Sequence, residues 1–570
     1  MAITGSPAVI VQEQDLSSYV SADSVTTGAV VGAFEWGPVE AITKITSEGK
    51  LIQFFGYPRD WNYKDWFTAR NFLHYSSSLA VVRIVSEDSK NAYFAYDSAS
   101  DEKERHYYTK GDIVSKNYSN FEFDLINVRT LENDETVIDK ENPKNNVIPK
   151  TAFIARYPGN LGNKIRVAMI NKLGLDAQNA RIANGEEVTL NGVTSLISRP
   201  LQNDEVVVGV YMSNEDEEDT ILEFGIFSTV DGSTDVTGYG NYVFKHFNNN
   251  SNWIYIPEGS INFNDKINFD VILENGYSSE DMPSLFRYID GWNLFSNEET
   301  SETEVQLLMQ GGADIEVGNY IINLAETRKD CLACVSPMID EVVNTLTPVD
   351  KIVEGSGSAY RGSSYAFMDG NYKYQYDSYN DVYRWLPLNG DIAGIMAQID
   401  NEEEPWMSPG GKQIKNCVKL AFHPSKAERD DLFAANVNPV TNFRSEGNIL
   451  WGDWTRMNST SFNFVGVRRL FLHVERAIKE YARNVMWKQN DEITETTFIQ
   501  TVEPFLMDIQ GGRGIQEFKV YAGASVTSPD EMDKGIFRAK ILIKPVRSIR
   551  YVVLVFTAVR SDMSIEEIVQ

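Results

Sequence analysis

Three cysteines in 570 residues leave no disulfide framework to read from this sequence. A sparse, odd count fits a reducing compartment. Cys331-Leu-Ala-Cys334 has half the spacing of a zinc site, but no second Cys-x-x-Cys or His-x-x-x-His completes four ligands, so buried structural cysteines are the expected reading. The five histidines (His74, His106, His246, His423 and His473) are scattered. There is no GxSxG, no HExxH and no phosphate loop ending in Lys-Ser or Lys-Thr, so no active site, cofactor or metal is expected. No apolar run approaches the ~20 residues of a membrane-spanning helix, and the N-terminus lacks the basic start and long apolar core of a secretory signal. Membrane insertion is therefore not expected. Positive charge is also short: 52 Lys and Arg stand against 81 Asp and Glu, a net −29. That balance argues against a nucleic-acid partner, whose phosphates need a basic face. It suits a protein that stays soluble when crowded, or one that meets partners through local basic patches.

What is present supports an α+β, multidomain chain, with roughly three to five cores for its length and 42% apolar residues. Residues 1–22 hold one isolated strand-like run, Ala8–Val11, which adds to another sheet or stays loose. Residues 23–85 read as the first part of a middle α/β domain: a strand at Ala29–Phe34, a Gly37-Pro38 turn, a helix near Trp66–Tyr75 and a buried strand at Ala80–Val85. From 86 to 150 charge is dense and strands such as Phe121–Val128 are short, so an inserted peripheral domain is expected. Residues 151–277 are strand-rich, with turns at Asn184-Gly185, Asp231-Gly232 and Asn275-Gly276, and read as a β-rich domain. The acidic run Glu215–Asp219 lacks the alternating ligands of a calcium loop and reads as solvated.

Residues 278–399 return to the α/β pattern as the second part of the middle domain. The glycines near Gly355 and Gly357 miss dinucleotide-loop spacing. Tyr372, Tyr374, Tyr376, Tyr379, Tyr383 and Trp385 form an aromatic cluster expected in a core or an interface.

Residues 400–559 end in the most readable stretch, a compact α/β module. Val467, Leu470, Phe471, Val474, Ile478, Tyr481 and Val485 recur at helical spacing as one apolar stripe. Arg469, Arg476 and Arg483 fall on the opposite side, with Lys479 beside them, and predict an exposed basic stripe. A second helix, Thr494–Ile509, is expected to kink at Pro504 and to stop at Gly511-Gly512 through glycine's positive φ. Strands follow at Ile515–Tyr521, Ile536–Lys544 and Ile549–Val559. Residues 560–570 follow as a short C-terminal segment, expected to be a second arm if the resemblance described below holds.

The segments "GVRRLFLHVERAIKEYARNVMWKQND", "VEPFLMDIQGGRGI" and "ILIKPVRSIRYVVLVFTAVR" resemble the C-terminal domain of the contractile tail sheath proteins of myovirus-type bacteriophages. "YKYQYDSYNDVYRWLPLNGDIAGIMAQID", "PWMSPGG" and Ile449–Thr455 match upstream in the family's order, and Ser6-Pro7, Gly37-Pro38 and Phe54–Gly56 resemble the sheath N-terminus. The resemblance implies a sheath core domain at 400–559, extended terminal arms and β-rich inserted outer domains. It implies a homo-oligomer of stacked rings in a helical sleeve, which contracts to drive a tube through the host envelope. The tail tube, baseplate and tail terminator proteins would be its partners, in a virion assembled in host cytoplasm. Within that reading, Val9, Ile10 and Val11, with Ile565, Ile568 and Val569, are the inter-subunit arms, and Arg469, Arg476, Lys479 and Arg483 face the tube. The sheath of a headless phage-like particle or secretion device, and a multidomain enzyme with a site in the β-rich middle, remain open alternatives.

Overall fold

A six-stranded sheet gathers distant parts of the chain. Its order is Ala366–Met368, Leu332–Val335, Leu307–Met309, Gly28–Ala33, Leu79–Ile84 and Thr43–Ile45. All neighbours are parallel except the short edge strand Thr43–Ile45. The computed structural model describes residues 26–96, 150–213, 218–235, 237–257, 261–296, 304–457, 460–523 and 526–551.

Parallel strands covered on both faces carry continuous apolar runs, and every residue of Gly28–Ala33 and Leu79–Ile84 is buried. Val30 and Val81 point to one face, under Trp66 and Phe67 of helix Tyr63–Leu73 and Ile392 and Met396 of helix Asn389–Glu402. Ala29, Val31 and Val82 point to the other, under Trp292 of Leu285–Asn293 and Ile321 and Ile322 of Ile315–Arg328. Burying each of these large side chains stabilises the sheet by about 1.5–3 kcal/mol.

The β-rich part has its own core. A four-stranded antiparallel sheet runs Asn268–Ile272, Ile165–Asn171, Glu205–Met212, Thr220–Ser228, and a three-stranded sheet runs Tyr93–Tyr96, Lys150–Ala155, Ile254–Tyr255. Phe153, Val167, Val208, Phe247 and Phe269 pack together there. Two of the three expected turns use glycine's positive φ, at Gly185 and Gly232, whereas at the third Asn275 itself takes φ 70°. Of the acidic run, Asp219 is ion-paired with Arg166 at 2.6 Å, and residues 214–217 lie outside the described set. The 86–150 segment begins inside this core, not outside it: Ala92 and Phe94 are buried, and Tyr93–Tyr96 pairs antiparallel with Lys150–Ala155. Tyr96 lies opposite Lys150, so residues 97–149 leave and return at neighbouring points. Those residues, including Phe121–Val128, lie outside the described set.

Arg83 ties the two parts together. It is fully buried, and its guanidinium donates to the carbonyl oxygens of Phe34, Glu35 and Gly37 in the α/β part and of Pro158 in the β-rich part. Burial pushes its pKa down to about 9.

Residues 400–457 extend the α/β cores: Leu420, Val440 and Leu450 join one face and Leu432 and Val437 the other. A separate core begins only at helix Val465–Arg483, where Leu470, Val474, Ala477 and Tyr481 pack against Phe498, Val502, Leu506 and Ile509. The expected boundary at 400 therefore falls inside the α/β part.

Candidate assembly site

Helix Val465–Arg483 lies between two cores, and that placement decides the fate of the basic stripe. Val467, Leu470, Val474 and Tyr481 of the expected apolar stripe are buried, and Phe471, Ile478 and Val485 half-buried. The opposite side also finds a protein surface. Val465 and Leu472 belong to the α/β core, and Arg469 and Arg476 project from the same side of the helix. Gly466 allows the close approach on which this depends, since a Cβ there would sit 2.5 Å from the Trp406 carbonyl oxygen.

Arg469 is consequently not on a wet face. Its side chain is 5% exposed and ion-paired with Asp400, itself 9% exposed, and it donates to the Met396 carbonyl at 3.1 Å. The Thr26 hydroxyl donates to the other oxygen of Asp400 at 2.5 Å. Arg476 is half-buried and donates to the Asp330 carbonyl at 2.7 Å. Both assignments to an exposed tube-facing stripe are corrected by this geometry. Past the edge of the α/β part the helix emerges, and Lys479 and Arg483 are exposed. The neighbouring Arg468 is buried as well, donating to the Ser364 hydroxyl at 2.6 Å and lying 3.8 Å from the Phe462 ring centre and 4.1 Å from that of Tyr365. The one signal of this in the sequence is an Arg-Arg pair set among apolar residues.

The second helix, Glu492–Gly511, starts at Asp491, whose carboxylate accepts from the Thr494 N–H at 2.9 Å, and contains Pro504. Its end differs from the expectation. Gly512 has φ −75°, and Arg513 takes the left-handed conformation at φ 62°. Ile515–Ala522 and Ala539–Pro545 then form an antiparallel pair. Phe518, Ile541 and Ile543 turn toward the helices, while Lys540, Leu542 and Lys544 are exposed. No further strand pairs with either among the described residues. Of the expected last strand only Ile549–Tyr551 is described, and Tyr551 is 85% exposed.

Before that point the chain is fastened to the α/β part. Arg550 donates to Asp453 at 2.7 Å, Ser548 also bonds that carboxylate, and the Arg550 guanidinium stacks 3.4 Å from the Phe464 ring centre and 3.7 Å from that of Trp454. This clasp, built on the Ile449–Thr455 motif, was not foreseen.

Between the two cores lies a cavity of about 830 Å³, walled by Thr26, Leu307, Trp406, Arg469, Arg476 and Phe505 among others. His473 shares this wall between the rings of Trp406 and Phe505, and burial, with Arg476 and Arg469 nearby, pushes its pKa down to about 4. Elsewhere, Cys331 and Cys334 are buried, and burial pushes the Cys334 thiol up to about 12. No group of three or more His, Cys, Asp or Glu among the described residues is placed to hold a metal, and none of the described helices is long and apolar enough to cross a membrane.

The aromatic cluster is a hairpin, Tyr372–Asp377 paired with Val382–Pro387. Tyr374, Tyr376, Tyr383 and Trp385 line one face with ring centres 4.6–5.3 Å apart, and Tyr376 and Tyr383 are 42% and 52% exposed. The arm residues Val9, Ile10, Val11, Ile565, Ile568 and Val569 lie outside the described set.

These boundaries coincide with those of known proteins. The chain matches three family models: the phage tail sheath protein central domain over 304–456, the phage tail sheath C-terminal domain over 458–558, and the tail sheath protein Gp18 domain III N-terminal region over 26–84. Together they span more than half of it. It is 28% identical to the tail sheath protein of Enterobacteria phage T4 and 29% identical to that of Vibrio phage KVP40, in alignments covering 99% of this chain and 99% of each relative. In fold it resembles the solved sheath tail protein of Listeria innocua, with a TM-score of 0.56 at 12% identity over 93% of this chain and 94% of that one. The chain therefore belongs to the contractile tail sheath proteins of bacteriophages, structural components of the virion.

Proposed function

We propose that this protein polymerises as stacked rings in a helical sleeve around a tail tube, and that the sleeve shortens by repacking its subunits, with no catalytic step. The observation that carries the reading is the strand pair Ile515–Ala522 and Ala539–Pro545, whose outer edges have no partner among the described residues. An open edge in the domain matching the sheath C-terminal model is a template for strands supplied by other subunits. The proposed donors are Val9–Val11 and the tail with Ile565, Ile568 and Val569. Net backbone hydrogen bonds are worth about 0.5–1.5 kcal/mol each, so an added strand of four or five holds a neighbour by a few kcal/mol. Such a tie survives rotation of the bodies it joins, which lets one subunit occupy two packings.

The proposed tube contact is the exposed end of helix Val465–Arg483, with Lys479 and Arg483 meeting acidic groups across a gap that widens on contraction. Baseplate and tail terminator proteins would close the two ends of the sleeve, and assembly would take place in host cytoplasm. Negative-stain electron microscopy of the concentrated protein tests the reading. Rings or long sleeves are expected, and a monodisperse particle at every concentration refutes it.

A further inference from the structure

We infer that Trp487 and Lys488 form a knob that seats in the 830 Å³ cavity of a second copy of this chain. The contact adds to the strand ties between subunits and rests on the reading of the chain as a self-assembling sleeve.

The knob is the loop that joins helix Val465–Arg483 to helix Glu492–Gly511. Met486, Trp487 and Lys488 are all exposed there, Trp487 by 96%. Trp487 also holds φ 70°, a left-handed backbone that a bulky side chain resists. Scattered exposed apolar residues are ordinary, but a whole indole presented from a strained loop is the kind of anchor that dominates protein interfaces. Lys488 and the exposed Arg483 give its surroundings positive charge. Trp487 lies well past Arg476, the last residue of its helix on the cavity wall, and its exposure shows that it fills no site in its own subunit.

The cavity offers the complementary features. Asn401, Glu403, Pro504 and Asp508 are exposed at its rim, so it opens to the surface. Trp406 and Phe505 supply aromatic walls, and the volume lies within the ~300–1,000 Å³ typical of ligand pockets. The charge inside is negative. Asp400, Glu403, Glu404 and Asp508 stand against Arg469 and Arg476, while His473, its pKa pushed down to about 4, is neutral at physiological pH. Arg469 is engaged by Asp400, Lys412 by Glu403, and Arg476 is held against the Asp330 carbonyl. Glu404 and Asp508 are left without an ion-pair partner among the described residues. A tryptophan followed by a lysine meets both needs, the indole against the rings and the ammonium at the two carboxylates. Arg469 adds an independent sign of an occupant. Its second terminal nitrogen is buried with no partner, and main-chain carbonyls of the entering loop can accept from it.

Knob and cavity are different patches of one chain, so the contact runs head to tail. Contacts of that kind repeat from copy to copy and close into rings or continue as helices, the form a sleeve requires.

Assembly of the full-length protein, followed by sedimentation over a concentration series, tests the contact. Trp487→Ala should melt like the parent, because the side chain is exposed in its own subunit, yet need about tenfold more protein to assemble. Glu404→Lys should do the same, and combining it with Lys488→Glu should restore assembly toward the parent's concentration. In an equal mixture of Lys488→Cys and Asp508→Cys proteins, mild oxidation of the sleeves should link positions 488 and 508, a disulfide that can only join two chains. Trp487→Ala assembling at the parent's concentration overturns the knob and leaves the sleeve reading standing, and so does the absence of that disulfide. Normal Trp487→Ala sleeves that no longer hold purified tubes would also overturn it and assign the indole to the tube. A parent protein that stays monomeric at every concentration overturns both readings.

Discussion

Replacing Asp400 with alanine separates a buried latch from a surface ion pair. In the fold, Arg469 and Asp400 are 5% and 9% exposed, so water screens the pair little. Removing the carboxylate leaves a guanidinium with the Met396 carbonyl at 3.1 Å as its remaining acceptor among the described residues, and also takes the Thr26 hydroxyl's acceptor away. Breaking a pair this buried costs about 3–5 kcal/mol, because the uncompensated charge stays in low dielectric; an exposed pair would cost about 0–1 kcal/mol. Exchanging both partners for apolar residues, Arg469→Met with Asp400→Leu, removes both desolvation penalties and is expected to be near neutral. Urea unfolding followed by circular dichroism reads the difference. With a slope of about 3 kcal/mol per molar, the single variant should lower the midpoint by 1 M or more, while the double variant stays near the parent. A loss below about 1 kcal/mol that fades with added salt would refute the buried pair and return Arg469 to an exposed stripe.

Charge reversal at Lys479 and Arg483 to glutamate should change stability by no more than about 0.5 kcal/mol, since both are exposed, yet abolish co-sedimentation with purified tubes; undiminished co-sedimentation would show a merely wet helix end. Deleting residues 1–16 should leave a folded monomer that forms no sleeves in electron micrographs, and normal sleeves would remove the N-terminal strand from the assembly. Replacing residues 97–149 with a short Gly/Ser linker should preserve soluble, sleeve-forming protein, because Tyr96 and Lys150 are already strand partners; insoluble protein would show a shared core. Acid should weaken the fold through His473. Its folded pKa of about 4 lies below the unfolded ~6.5, so the stability that excluding this proton contributes is present above pH 6.5 and is lost as pH falls toward 4. His473→Gln should flatten that part of the stability curve, and an unchanged slope would place the acid sensitivity elsewhere.

The two central strands of the α/β part were legible because parallel strands buried on both faces must be almost continuously apolar, as Gly28–Ala33 is and as Leu79–Ile84 is apart from Arg83. Helix Val465–Arg483 was legible for the complementary reason, a repeat near 3.6 residues, and the family could be recognised from motifs carried on that same helix. What one helix's periodicity does not record is what covers its other side. Arg469 and Arg483 lie on the same side, 14 residues apart, and a wheel treats them alike. One is buried against Asp400 and the other is exposed because the α/β part ends between them, a boundary set by residues about 70 positions earlier in the chain. The Arg550–Asp453 clasp and the four carbonyl acceptors of Arg83 were hidden for the same reason. A charged side chain far from its partner in sequence looks like any solvated one. The sequence by itself determined the elements, their apolar faces and the family. Only the tertiary structure decided which charges are sealed between two cores and which are left at the surface, because burial is a property of the assembled layers and not of any single segment.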